Sequence, residues 1–395
     1  MTFKQYKSCL HLPDMKQFPK SLQQKIELRQ QSNSFRVLPE PNGLIDFASN
    51  DYLGFSKSGI IFQETHQYLL DHAIIQNGAT GSRLLSGNHA LYKALEEHIA
   101  HFHNSEMALV FNSGYDANLG FFSSVLQRTD FILYDEYSHA SIRDGIRLSN
   151  ARSFKFEHND LDELEALILK YKSENSEIYI VTESVFSMDG DSPDLERLAQ
   201  ISEQHGCFLV IDEAHALGVF GEAGCGLIQD LGVQDKVFAR IMTFGKGLGA
   251  HGAAVLGSKE LKDFLVNFAR SFIYTTALPP HSVAEILIAY KNLETQKTEI
   301  EKLRNNILHF NQEKQRIGLK PIFVRNKSAI QSAIIPGNDK VKMIAGKLQE
   351  NGFDVKAILS PTVPENQERL RFCLHSFNTR EEITKVLETL AKYLF

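Results

Sequence analysis

From residue 60 to about 280 the chain alternates between short runs that are apolar throughout and longer stretches with apolar residues at helical spacing. The apolar runs Ala108–Phe111, Phe131–Tyr134, Ser153–Phe156, Ile178–Thr182, Phe208–Ile211, Phe238–Met242 and Ala253–Leu256 predict strands. The stretches Ala90–His103, Leu161–Lys172, Leu195–His205 and Lys259–Phe268 predict helices between them. Strands without a polar face are covered on both sides, so the pattern predicts an α/β fold with a mostly parallel central sheet and helices on both faces. In such sheets ligands gather beyond the carboxyl ends of the strands.

The flanks read differently. Residues 1–43 are polar and punctuated by Pro13, Pro19, Pro39 and Pro41, as an arm that packs elsewhere. Within it SLQQKIELRQQSNS predicts one amphipathic helix with Ser21 as its N-cap. Leu44–Ala48 predicts a short strand, followed by SNDYLGF. After Pro279-Pro280 a long helical run extends to about residue 315. Beyond it, strands at Ala329–Ile335, Asp354–Ile358 and Leu370–Leu374 and helices at Val341–Glu350 and Arg380–Lys392 predict a smaller α+β domain. The expected division is an N-terminal arm at 1–43, a large domain at 44–282 and a small C-terminal domain at 283–395.

Composition narrows the class. A chain of 395 residues with 43% hydrophobic and 23% charged residues is an ordinary globular sequence. A net charge of −6 argues against a general nucleic-acid binder. Cys9, Cys207, Cys225 and Cys373 are scattered without a CxxC pair, which predicts reduced thiols in a cytoplasmic protein and no zinc site. No apolar stretch has the length of a membrane span, and the N-terminus lacks the apolar core of a secretory signal.

Candidate chemistry centres on TFGKGLGAHG, Thr243–Gly252. Lys246 lies between glycines just after a predicted strand, where a flat ligand can reach its amine. Asp212 ends another apolar run, in VIDEAHALG, and a carboxylate desolvated there needs a cationic partner. A lysine nucleophile with a buried carboxylate suits Schiff-base chemistry, the carboxylate facing a pyridinium nitrogen as in pyridoxal phosphate sites. Other loops fall at predicted strand ends. Asn112-Ser113-Gly114-Tyr115 opens a helix and offers backbone N–H groups to a phosphate. His139 can stack on a planar ring, Ser187 is a polar group beside apolar neighbours, and His215 follows Asp212 by three residues. Singly, each also fits a strand-to-helix turn, a helix cap or a surface group. Asp189-Gly190-Asp191 reads as turn chemistry. The glycine-rich GATGSRLLSGNH fits neither a P-loop nor a dinucleotide fingerprint, and HEXXH is absent.

Taken together, SNDYLGF, GATGSRLLSGNH, FNSGYDANLG, SHASIRDG, ESVFSMDGD, IDEAHALGVFGEAGCG, TFGKGLGAHGAAVLGS, ARSFIYTTALPP and SPTVPENQERLRF resemble the α-oxoamine synthases. These are pyridoxal-5'-phosphate (PLP) enzymes of the aspartate-aminotransferase fold, fold type I. The likeness runs from about Ile45 to the C-terminus, with the motifs in the family's order. It implies that Lys246 carries the cofactor and later moves the substrate's α-proton. Asp212 would face the ring nitrogen, His215 and Ser187 the phenolic side, and His139 the ring face. Gly114, Tyr115 and Thr243 would hold cofactor or phosphate, with Thr275 and Thr276 reaching the phosphate of the other subunit of a homodimer. Asn50 and Arg371 would grip the amino acid's carboxylate, Thr362 would line the acyl pocket, and Arg36 would contact the acyl donor.

Within the family the motifs lean toward the biotin-pathway branch, an acyltransferase joining L-alanine to a pimeloyl thioester on CoA or acyl-carrier protein with loss of CO2. The same chemistry with glycine and acetyl-CoA, or with serine and a long acyl thioester, stays open. So does a non-catalytic subunit of the same fold, against which the presence of Lys246, Asp212, His139 and His215 weighs. A PLP-binding transcription regulator ranks last, since no DNA-binding segment or basic patch is visible. One departure stands out: many biotin-pathway members carry an arginine shortly before PTVP, where this chain has Ile358-Leu359-Ser360. The donor's distal carboxylate is then bound otherwise, or the donor differs.

Overall fold

The structure, a computed structural model, describes residues 18–38, 40, 43–173, 175–295 and 297–395. Cys9, Pro13, Pro39 and Pro41 lie outside the described residues.

The apolar runs do form strands. After the short β1 (Ile45–Asp46) come β2 (Met107–Phe111), β3 (Phe131–Asp135), β4 (Arg152–Phe156), β5 (Ile178–Glu183), β6 (Phe208–Asp212), β7 (Ala239–Thr243) and β8 (Ala253–Gly257). Strands β2 to β8 make one sheet in the order β2-β8-β7-β6-β5-β3-β4. All its pairings are parallel except those of β8, which runs antiparallel to both β2 and β7. The reason is local: β7 and β8 are joined by the short TFGKGLGAHG connection, too short for the helical crossover that a parallel pair needs.

The pleat divides the core. In β5, Tyr179 and Val181 join the cluster that contains Phe121, Phe122 and Ile142, while Ile178 and Ile180 join the opposite one with Leu164 and Leu198. In β6, Val210 takes the first side and Leu209 and Ile211 the second. Helices 114–125, 140–148 and 259–268 cover one face, and 161–171 and 195–205 the other. Asp160 and Asp194 cap the latter two through their side chains.

A second sheet, β11-β12-β9, is antiparallel and comprises β9 (Ile330–Ile334), β11 (Lys356–Ile358) and β12 (Arg369–Cys373). Strand β10 (Phe353–Asp354) pairs with β1 in parallel, Ile45 opposite Phe353. Helices 338–350 and 380–394 pack on this region, the latter opened by a capping box between Thr379 and Glu382. No helix among the described residues is long and apolar enough to cross a membrane.

Two local expectations are corrected. The helical run after Pro280 is two helices, Pro280–Thr295 and Lys297–Arg316. The early helix is Lys20–Gln31, with Pro19 rather than Ser21 at the N-cap, and none of its residues is buried. Pro19 has φ −58°, which sets the chain up for the first turn, so Ser21 falls inside the helix.

The Asp-Gly-Asp turn does more than turn. Gly190 supplies the positive φ of 72°, but both carboxylates enter ion pairs. Asp189 pairs with the guanidinium of Arg369, both nearly excluded from water. His158 lies between Asp135, 2.9 Å from Nδ1, and Asp191, 2.8 Å from Nε2. Burial lowers the imidazole pKa, but the hydrogen bonds and charges of Asp135 and Asp191 outweigh it and raise it to about 10. A folded pKa above the unfolded value of about 6.5 contributes stability in full below that value, and the contribution disappears as pH rises through about 10. His158→Ala is therefore expected to cost on the order of 3–5 kcal/mol near neutral pH by leaving two carboxylates without their cation. Thermal unfolding of both proteins from pH 7 to 10 checks this: the gap in midpoint should narrow as pH rises.

Candidate active site

The carboxyl ends of the parallel strands lie along one edge of the large sheet, and each sends a chemically active loop over it. Asn112–Tyr115 follows β2, Ser138-His139 follows β3, Ser187 follows β5, His215 follows β6 and Lys246 follows β7. Glu183 and Asp212 are themselves the last residues of β5 and β6 and stand in register across the sheet.

Lys246 Nζ lies 2.9 Å from His215 Nε2. Burial pushes the Lys246 ammonium down to about 8, although the charges of Asp212 and Glu183 push the other way. The free amine, the form that condenses with a carbonyl, is thus present near neutral pH. His215 is held well below its ordinary range, by burial first and then by the charges of Lys246 and Arg371, so its ring is neutral. Its Nδ1 lies 2.6 Å from the hydroxyl of Tyr52, a fully buried side chain. Tyr52 in turn reaches Asn50 Oδ1 at 3.4 Å, and Arg371 Nη2 donates to that same oxygen at 2.9 Å. A continuous polar chain therefore links Lys246 to the Asn50–Arg371 pair. Arg371 is fixed from a second side, its Nε donating to the carbonyl of Ser187 at 2.7 Å.

Asp212 is 6% exposed. Its Oδ2 accepts from Asn118 Nδ2 at 2.8 Å and its Oδ1 from the Ala214 N–H at 2.9 Å. Neither donor is a cation, so a cationic ring nitrogen fits the place. Glu183, beside it, accepts the His139 N–H at 2.6 Å. Burial and the neighbouring charge of Asp212 raise Glu183 to about 8. Glu213, the other half of the acidic pair, points away and pairs with the buried Arg240 at 2.6 Å.

His139 is the N-cap of the helix Ala140–Leu148, and its Nδ1 accepts from the Ser141 N–H at 3.2 Å. The cap fixes the imidazole, so its capping and ring-facing roles are compatible. The phosphate end has its own signature. The helix Gly114–Val125 begins with N–H groups of Gly114 and Tyr115 that have no acceptor among the described residues, and a Cβ on Gly114 would stand 2.6 Å from Thr243 Oγ1. That cradle, with a helix N-terminus behind it, suits a phosphate. Gly247 differs from its expected use: a Cβ there would come within 2.2 Å of the Leu217 carbonyl, so its missing side chain admits backbone, not a ligand.

Thr275 and Thr276 do not join this cluster. They lie against Asn112, whose Nδ2 donates to Thr275 Oγ1 at 3.0 Å and to the Thr276 carbonyl at 2.7 Å. Thr362 lies on the wall of a cavity of about 550 Å3, and His139 and Ser187 reach the same wall. Arg36 approaches Thr362 Oγ1 at 3.5 Å. Tyr52, Asn118 and Glu183 are site members that sequence reasoning missed; Tyr52 stands two residues after Asn50 in SNDYLGF, the one available signal.

Known proteins resemble this chain over most of its length. The family described as aminotransferase class I and II matches residues 42–390. An 8-amino-7-oxononanoate synthase of Emericella nidulans is 42% identical over 377 residues, 90% of each chain. One of Geotalea daltonii is 36% identical, covering 91% of this chain and 90% of its own. Among solved structures, the 8-amino-7-oxononanoate synthase of Francisella tularensis superposes with a TM-score of 0.76 at 33% identity, covering 90% of this chain and 98% of its own. The Sphingomonas wittichii serine palmitoyltransferase gives 0.83 at 29% identity, covering 89% and 87%.

Proposed function

The chain belongs to the aminotransferase class I and II family, and from that premise we propose that it is a PLP-dependent 8-amino-7-oxononanoate synthase of biotin synthesis, condensing L-alanine with a pimeloyl thioester. The convergence of Lys246, Asp212 and the Asn50–Arg371 pair at one sheet edge carries this reading.

PLP, when bound, supplies an aldehyde that takes up an amine and a ring that absorbs the electron pair left by a departing α-proton. Asp212 would face the ring nitrogen and keep it charged, and Asn118 and the Ala214 N–H hold the carboxylate in place. Gly114, Tyr115 and Thr243 would hold the phosphate, His139 would lie on the ring face, and Ser187 and His215 would take the phenolic side. In a homodimer, Thr275 and Thr276 serve the phosphate of the neighbouring subunit. Arg371 and Asn50 hold the carboxylate of alanine by a charge-assisted contact, which orients the α-hydrogen toward Lys246. Lys246 Nζ takes that proton, and neutral His215 accepts a hydrogen bond from the same nitrogen, steering its lone pair. The acyl chain of the donor lies along the cavity with Thr362 on its wall and Arg36 at its edge.

The test is direct. Purified holoenzyme with L-alanine and pimeloyl-CoA or pimeloyl-acyl-carrier protein should release CO2 and 8-amino-7-oxononanoate in equal amounts, measured by mass spectrometry. Glycine with acetyl-CoA, or serine with palmitoyl-CoA, should be slower by about a hundredfold. Preference for either of those pairs would overturn the reading in favour of another branch of the chemistry.

A further inference from the structure

We infer that Arg143 binds the distal carboxylate of the acyl donor and so selects a dicarboxylic chain over a simple fatty one. This rests on the alanine–pimeloyl reading above. Arg143 lies one helical turn beyond His139, about 6 Å along the axis of the helix that His139 caps. Both side chains line the 550 Å3 cavity, so one wall runs from the ring-facing histidine to this guanidinium. The same cavity is lined by Phe186, Met188 and Val363, apolar side chains suited to methylenes.

A census of charge on the wall leaves Arg143 without a match. Asp189 and Arg369 satisfy each other, and Glu136 pairs with Lys155 at 3.1 Å. Glu365, on the exposed turn across the cavity, has no ion pair among the described residues and disfavours an anion at that lip. Arg143 is exposed and has no side-chain partner among the described residues. The opposing segment 358–360 brings no cation. A chain of methylenes ending in a carboxylate therefore meets apolar wall first and an uncommitted guanidinium fork last, the group best shaped for a carboxylate.

The experiment compares pimeloyl with heptanoyl thioesters, equal in carbon number and differing only in the terminal carboxylate, with L-alanine as co-substrate. Wild type should prefer pimeloyl. Arg143→Leu should lose tenfold or more in kcat/KM for pimeloyl, chiefly through KM, with little change for heptanoyl, and Arg143→Lys should recover part of the loss. Arg143 is exposed and unpartnered among the described residues, so its removal leaves the fold in place, and turnover of heptanoyl thioester checks this. Running the series with both CoA and N-acetylcysteamine thioesters separates chain from carrier, since the latter has no phosphate. A loss seen only with CoA would assign Arg143 to the carrier and overturn the inference, as would equal losses for both acyl chains or a preference that survives Arg143→Leu. Wild type that makes no product from alanine and any pimeloyl thioester would overturn the alanine–pimeloyl reading itself and this assignment with it.

Discussion

Lys246→Ala is expected to lower turnover by about ten-thousandfold or more while the purified variant still retains PLP. The expectation follows from two jobs at one nitrogen. Lys246 Nζ is the amine aimed into the site, 2.9 Å from a neutral imidazole, and burial depresses its pKa to about 8. Among the described residues no other lysine hydrogen-bonds to Asp212, Glu183 or His215, so neither the nucleophile nor the base has a local substitute. Cofactor retention should persist, because Gly114, Tyr115 and Asp212 stand on other elements. Steady-state turnover and the absorbance of bound cofactor are the measurements. Near-normal turnover in the variant would remove Lys246 from the chemistry.

Asp212→Asn should be the second severe variant, with turnover down by about a hundred- to a thousandfold. The change preserves shape, but a carboxamide has one oxygen where Asn118 Nδ2 and the Ala214 N–H each had their own, so one of these two donors faces the amide nitrogen instead. On the proposed reading the substitution removes the charge that would hold the ring nitrogen protonated, and with it the ring's capacity to absorb electrons. Circular dichroism should be unchanged while turnover falls. If Asp212→Asn kept wild-type turnover, the ring nitrogen would have to face another group, and Glu183 is the only other carboxylate standing in register beside it.

The parts of this fold that were legible were those written in consecutive residues. Ile178–Glu183 is buried at every position, and only a strand with both faces covered has that composition. The helices expected at Leu161–Lys172 and Leu195–His205 form, with Asp160 and Asp194 capping them. Site residues in loops after such strands could be read for the same reason, since topology puts strand ends together. Tyr52, Asn118 and Glu183 could not. Their importance comes from burial and from partners far along the chain, such as Tyr52 with His215 and Asn118 with Asp212. Likewise Gly247 looked like clearance for a ligand, whereas a carbonyl brought in from Leu217 claims the space. Asp189 and Asp191 looked like a turn, because neither Arg369 nor His158 is a sequence neighbour.

The pairing of β1 with β10 bears on how the protein is made. Ile45 lies against Phe353, the Cys373 N–H donates to the Phe47 carbonyl, and Arg371 meets Asn50. A ribosome must therefore deliver more than three hundred residues between the two halves of the carboxylate grip. While the last strands are still in the exit tunnel, a nascent chain already owns its lysine and its phosphate cradle, yet has nothing with which to seize an amino acid. On the proposed reading, catalytic competence waits until the sheet that carries Arg371 has emerged and closed over β1.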